Sequence, residues 1–337
     1  MYTRRNIRTG LILRFAWKNL LFFTIWATLV TVSYVYLQPH HIDIRLPFLP
    51  LSTIGIAVSF YMGFKNSQSY DRFWEGRKQW GGILNLCRQW GGQVRGYVIN
   101  RHMTMPLPNA ELHVRHRDLI YRQLAWANAL RLQLRRSTIY DRQNLTHTPT
   151  ITGIVQPAGE PRVEDFLSAE EYAQVMSKAN PAAQILHNQS QALTDMLQEG
   201  LIEDFRHIDM MMALRDAYTL QGACERIKNT PFPRQYAYFS NVFVRIFVLL
   251  LPFGLLGEFS KMADGTGVWL NIPFSVLISW IFTTMEIVGD NSEDPFENYV
   301  NDVPMTAICR TVEIDLREML GETQLPARMQ PVDDILL

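Results

Sequence analysis

The chain carries only three cysteines in 337 residues, Cys87, Cys224 and Cys309, and they are too scattered for a disulfide framework. Reduced thiols are expected. It also has no net charge, because 32 Lys and Arg offset 32 Asp and Glu, so there is no global basic field for nucleic acid. Catalytic signatures are missing: no Walker-type glycine loop, no nucleophile elbow and no strand-borne GxGxxG occurs. His113 and His116 stand three apart and His40 and His41 are adjacent, but neither pair has Cys or carboxylate companions at metal-ligand spacing. These histidines are expected at the surface, and the chain is not expected to be an enzyme. No alternation of convincing length marks a strand, and no period marks a repeat. A content of 47% hydrophobic and 12% aromatic residues excludes a disordered chain.

That hydrophobicity is concentrated in four blocks. Residues 20–37 (LLFFTIWATLVTVSYVYL) and 46–64 (LPFLPLSTIGIAVSFYMGF) contain no charge. Residues 242–259 and 268–285 form a second pair, with Arg245 and Glu258 close enough to the ends of the third block to snorkel. A bilayer core of roughly 30 Å needs about 20 apolar residues in a helix, so four transmembrane helices in two hairpins are predicted. Pro252, Gly254 and Pro273 would break a soluble helix, but are tolerated where neighbouring spans satisfy the freed backbone groups. Arg4, Arg5, Arg8, Arg14 and Lys18 precede the first span, and Lys65, Arg72, Arg77 and Lys78 follow the second, whereas the two hairpin loops carry only Arg45 and Lys261. Both termini and the long central segment are therefore expected in the cytoplasm. The first apolar run is too long for a cleavable signal, and a bacterial inner membrane is the expected setting.

The segment between the hairpins reads as helical. No strong breaker separates the second span from residues 66–98, so it is expected to continue into the cytoplasm. Arg and Leu recur at helical spacing over 114–140, with the Arg-rich face expected to be solvated or turned to another subunit. A Thr/Pro/Gly-rich loop follows at 145–162. Ser168 before Glu170 and Glu171 starts a further helix, and Asn180-Pro181 divides it from the next. The expected organisation is 1–64 for the first two spans, 65–235 for a cytoplasmic helical domain, 236–285 for the last two spans and 286–337 for a cytoplasmic C-terminal segment.

The second span holds the most informative pattern. Ile56, Phe60 and Phe64 recur every fourth residue over about 12 Å of rise, with Ser52, Gly55, Ser59 and Gly63 nearby to permit close helix approach. Such a stripe fits ordinary packing or lipid contact. It equally fits a hydrophobic constriction in which symmetry-related copies surround an axis and gate by dewetting. Phenyl edges carry positive potential, so inward edges would tolerate a partly dehydrated anion better than a cation.

Three blocks bear on this choice. Residues 59–82 (SFYMGFKNSQSYDRFWEGRKQWGG) resemble the pore-helix segment of the bestrophin family. Residues 221–236 (QGACERIKNTPFPRQY) resemble that family's entry to the third span, and 286–316 resemble its bacterial C-terminal signature. The resemblance implies an all-α homopentamer around one central pore, with a neck of three apolar rings that match Ile56, Phe60 and Phe64. It also implies a second narrow point at the cytoplasmic end, for which Ile185 is the candidate by its position after Asn180-Pro181. Animal members hold calcium in an acidic run after the fourth span. Here Asp290, Glu293, Asp294 and Glu297 are interrupted by Asn291, Ser292 and Pro295. Calcium prefers six to eight oxygens, and helix capping or subunit salt bridges explain these acids as well as a calcium site does. No cofactor is expected. The partners expected are four further copies of the chain, membrane lipid and permeant monovalent ions. Function is expected to be an ion channel leaning to anions such as chloride. A sodium or potassium channel of the same fold and a non-conducting membrane scaffold are the alternatives.

Overall fold

The computed structural model describes residues 1–4, 6, 9–100, 105–136, 159–299, 301–332 and 334–337. Among them there are nine α-helices and no strand, the only β-type pairing being isolated bridges of Ile335 with Tyr2 and Val332. The helices are α1 (Thr9–Leu37), α2 (Phe48–Tyr97), α3 (Asn109–Leu134), α4 (Ala169–Met176), α5 (Pro181–Gln198), α6 (Asp204–Asn229), α7 (Arg234–Phe259), α8 (Asn271–Asp290) and α9 (Met305–Met319). Four segments are long and apolar enough to cross a membrane: 15–40, α2, α7 and 266–290. The anticipated boundary between residues 64 and 65 leaves no break, since α2 runs through it for 50 residues, roughly 75 Å.

Local chemistry accounts for the ends of these elements. Pro47 and Pro233 precede the long helices α2 and α7, where a missing N–H costs nothing. Ser168 Oγ accepts the Glu171 N–H at 3.2 Å to start α4, and Asn180 Oδ1 accepts the Ala183 N–H at 3.0 Å to start α5. Inside α7, carbonyls flanking Pro252 find partners elsewhere: the Trp26 indole donates to Leu249 O at 3.1 Å and the Leu46 N–H to Phe253 O at 3.1 Å. Buried Asn271 donates to Thr31 Oγ1 at 2.9 Å and accepts from Ser275 Oγ, joining α8 to α1 within the span bundle.

The main core lies below the membrane bundle. Trp80 and Trp90 of α2, Trp126 of α3, Ile185 of α5, Met210 and Ala217 of α6 and Val312 of α9 pack there with no exposed surface to speak of. One expectation changes. The Arg-rich helix α3 does not present all its cations to solvent: Arg131 is buried, bonded to Glu160 at 2.9 Å and to Pro161 O at 2.7 Å, and Arg122 holds Glu171 at 2.7 Å. Charge this deep is stable only because each guanidinium has an answering carboxylate or carbonyl. Most of the expected 145–162 loop lies outside the described residues. Trp126→Ala should cost about 3–5 kcal/mol through the cavity it leaves and strand the Gln221 oxygen that accepts its indole at 2.9 Å; a fall in apparent melting temperature of the detergent-solubilised protein checks this.

Candidate functional site

The site begins on α2. Leu51, Gly55, Val58 and Met62 face the bundle, and at Gly55 the ring of Phe247 comes so close that an added Cβ would lie 2.8 Å from it. This contact fixes the rotation of α2 about its axis. The opposite face carries Ile56, Phe60 and Phe64, which are 71%, 81% and 53% exposed in the single chain. The stripe expected from the sequence is therefore real as a surface, unpartnered by any described residue of its own protomer.

Immediately after Phe64 the chain buries a charge. Lys65 Nζ bonds Glu286 Oε1 at 2.7 Å and also Asp290, while Ser240 Oγ donates to Glu286 Oε2 at 2.7 Å. One turn of α2 is thus tied to both α7 and α8. Asn66 adds a bond to Met285 O at 2.9 Å and lies so close to Gly289 that a side chain there would collide with it. Buried cations need good geometry and satisfied partners, and this cluster supplies them directly under the apolar stripe.

The acidic stretch continues the same clasp. Beyond Asp290, Glu293 meets Arg234 at 2.8 Å, Asp294 meets Arg72 at 3.7 Å and Glu297 meets Lys228. Arg72 Nε also donates to Glu293 O at 2.5 Å. Gly76 leaves room for Phe296 and Pro295, whose atoms stand 3.1 Å from where a Cβ would be. Asp290 is the last residue of α8 and the other three acids lie between α8 and α9, so none caps a helix start; each instead faces a cation of its own chain. Among the described residues no group of three or more His, Cys, Asp or Glu is arranged to hold a metal ion. His113 and His116 contact backbone carbonyls, Leu320 O at 3.1 Å and Val98 O at 2.8 Å. Burial, with Asp294 beside it, pushes the Glu293 carboxyl up to about 7, and burial does the same to Asp302.

Ile185 requires a correction. It is 0% exposed, enclosed by the main core, and cannot line a passage. Apolar spacing on an amphipathic helix marks a face without saying whether that face meets a core or a lumen. Phe205, at the start of α6, is the residue the sequence did not single out: it is 80% exposed. Its helix runs antiparallel to α2, with Arg206 over the Tyr97 ring at 5.5 Å and Gln93 donating to Asp209 at 2.9 Å. Phe205 therefore sits at the C-terminal end of the long helix, far from the span bundle.

Four spans, an unbroken second helix with an exposed apolar stripe and an ion-paired clasp beneath it define a helical, multi-pass membrane protein. Comparison with known proteins makes this specific. The chain belongs to the bestrophin family, its residues 4–318 matching the family model described as "Bacterial/Fungal Bestrophin protein". It is 29% identical over 306 residues to the voltage-dependent anion channel-forming protein YneE of Escherichia coli K12, covering 90% of this chain and 87% of that one. It is likewise 29% identical to a protein of the same description from Mesorhizobium japonicum, over 84% of this chain and 78% of that one. The crystal structure of a bacterial bestrophin homologue from Klebsiella pneumoniae superposes with a TM-score of 0.73 at 26% identity, covering 90% of this chain and 98% of that one. The resemblance seen in the sequence is thus substantiated.

Two measurements test the clasp. Lys65→Met leaves Glu286 buried and unpaired and should cost about 3–5 kcal/mol, part of which the double variant with Glu286→Gln should recover in thermal unfolding. Glu293 has a higher pKa folded than unfolded, so the native chain holds its proton more tightly; the stability this group contributes is fully present below pH 4.5 and is lost as pH rises through about 7. Glu293→Gln should melt higher than wild type above pH 7 and lose that advantage toward pH 4.5, leaving a residual slope of the same sign from Asp302.

Proposed function

We propose that this protein is a homopentameric anion channel whose neck is formed by Ile56, Phe60 and Phe64 of five α2 helices. The single observation that carries this function is the exposure of those three side chains on the face of α2 that its own protomer leaves uncovered. Lipid alone would not require the stripe to end on a buried ion cluster that pins the helix (Lys65, Glu286 and Asp290). A pore would, because a ring of side chains gates only if each copy is held at a fixed height and rotation. The anion-channel names of the E. coli and M. japonicum relatives support the choice of ion, as do phenyl edges turned to the axis.

The acids from Asp290 to Glu297 act as an ion-paired clasp between α2, α6, α7 and the turn after α8, and conduction proceeds without calcium. Phe205 replaces Ile185 as the residue of the cytoplasmic narrow point. The protein resides in the inner membrane of a bacterium with both termini in the cytoplasm. Pairing of residue 3 with residue 334, through the Thr3 N–H and Asp334 O at 2.8 Å, supports placing both termini on one side.

Replacing Ile56, Phe60 and Phe64 together by Ala should widen the neck and raise single-channel conductance severalfold in planar bilayers, with reversal potentials in a salt gradient lying on the anion side. Unchanged currents would remove the neck. Particles in detergent should show fivefold symmetry, whereas a monomeric, non-conducting particle would favour a scaffold.

A further inference from the structure

Below the neck the same face of α2 continues without interruption. Successive steps of three or four residues from Phe64 lead through Ser67, Asp71, Trp74 and Lys78, and Asp71, Trp74 and Lys78 are exposed. Asp71 follows Phe64 by seven residues and Lys78 follows Asp71 by seven, two helical turns and about 10 Å each. Neither makes a hydrogen bond or ion pair with any described residue. The neighbouring charge on the flank, Glu75, is matched by Arg226 of α6 at 2.5 Å, and the clasp acids and bases are matched to one another. Above the neck the corresponding positions are Leu49 and Thr53, which carry no charge, and Arg45 in the outer loop is held by Asp43 at 2.7 Å. The unmatched charge along this stripe lies on the cytoplasmic side alone.

We propose that Asp71 and Lys78 form two fixed-charge rings of opposite sign beneath the neck, and that Asp71, the nearer of them, sets how strongly the pathway prefers anions. This rests on α2 lining a fivefold axis, as proposed above. Five carboxylates two turns from Phe64 lower the potential at the inner mouth of the neck. They oppose anions there and admit cations. The ammonium ring lies a further two turns away, about a Debye length at physiological salt, so it concentrates anions in the vestibule without cancelling the carboxylates at the neck. The two rings make the channel asymmetric: anions arriving from the cytoplasm cross both, and anions arriving from outside reach the neck first.

The test is conductance and reversal potential of the purified, reconstituted channel at low and high salt. At about 10 mM salt, where screening extends over roughly 30 Å, Asp71→Asn should raise the anion-to-cation permeability ratio roughly three- to tenfold, a size set by five charges about 10 Å away. Lys78→Gln should lower anion current entering from the cytoplasmic side. Both effects should vanish near 1 M salt, where the Debye length is about 3 Å. A second variant guards against misfolding. The native thiols Cys87, Cys224 and Cys309 are buried, so in Asp71→Cys a negatively charged methanethiosulfonate should restore the wild-type ratio and a positively charged one should exceed the Asn variant. Permeability ratios that ignore Asp71 and Lys78 at low salt would overturn the rings, even where the neck triple variant still raises conductance. A silent neck triple variant with responsive Asp71 variants would instead sustain the rings and remove the neck.

Discussion

A cation placed at the inner end of an apolar helix has to be neutralised, and the way Lys65 is neutralised organises the rest of the molecule. Its two carboxylates come from α8, one of them is held by a serine of α7, and the next acids along the chain take up Arg72, Lys228 and Arg234 in turn. Because removing one partner of a buried pair leaves an uncompensated charge, these contacts are cooperative. They fix α2 in height and rotation where the apolar stripe ends, so Ile56, Phe60 and Phe64 present a defined surface. A four-span bundle without this cluster would still bury its apolar faces, and the close approach of Phe247 to Gly55 would still orient α2, but the helix would lose its polar anchor at the end of the stripe.

The same economy explains why the acidic stretch after the fourth span differs from a cation-binding loop. Oxygen ligands for a hard cation have to converge on one point. Here they diverge, each toward a separate Arg or Lys of the same chain, and Gly76 admits Phe296 and Pro295 as an apolar wedge between them. The segment straps the span bundle to the helices below it. Its carboxylates are buried enough that Glu293 and Asp302 hold protons near neutrality, a cost that is accepted because the strap lies inside the structure and not on its surface.

Much of this was legible in residue order. The spans, the uninterrupted continuation of the second one and the helix starts at Ser168 and Asn180 follow from hydrophobic length and capping chemistry, which are local properties. The stripe Ile56–Phe60–Phe64 was equally legible as a pattern. What stayed hidden was set by distant partners. Lys65 and Glu286 are 221 positions apart, and no local rule links them. Arg131 looks like a surface cation until Glu160 and Pro161 are brought over it. Ile185 occupies an apolar helical face, and only the packing of α3 and α6 against that face decides that it meets a core. Phe205 is the converse case, an ordinary aromatic in sequence that matters because nothing covers it.

The length of α2 has a mechanical consequence. A stiff rod clamped at Lys65 extends about 48 Å away from the span bundle and only about 7 Å back to Phe60 and 14 Å to Ile56. It works as a reduction gear: a sideways swing of several ångströms at Tyr97 becomes roughly one ångström at Phe60. Displacements at the far end of the rod, which are coarse, are thereby scaled down to fine adjustments of the apolar stripe.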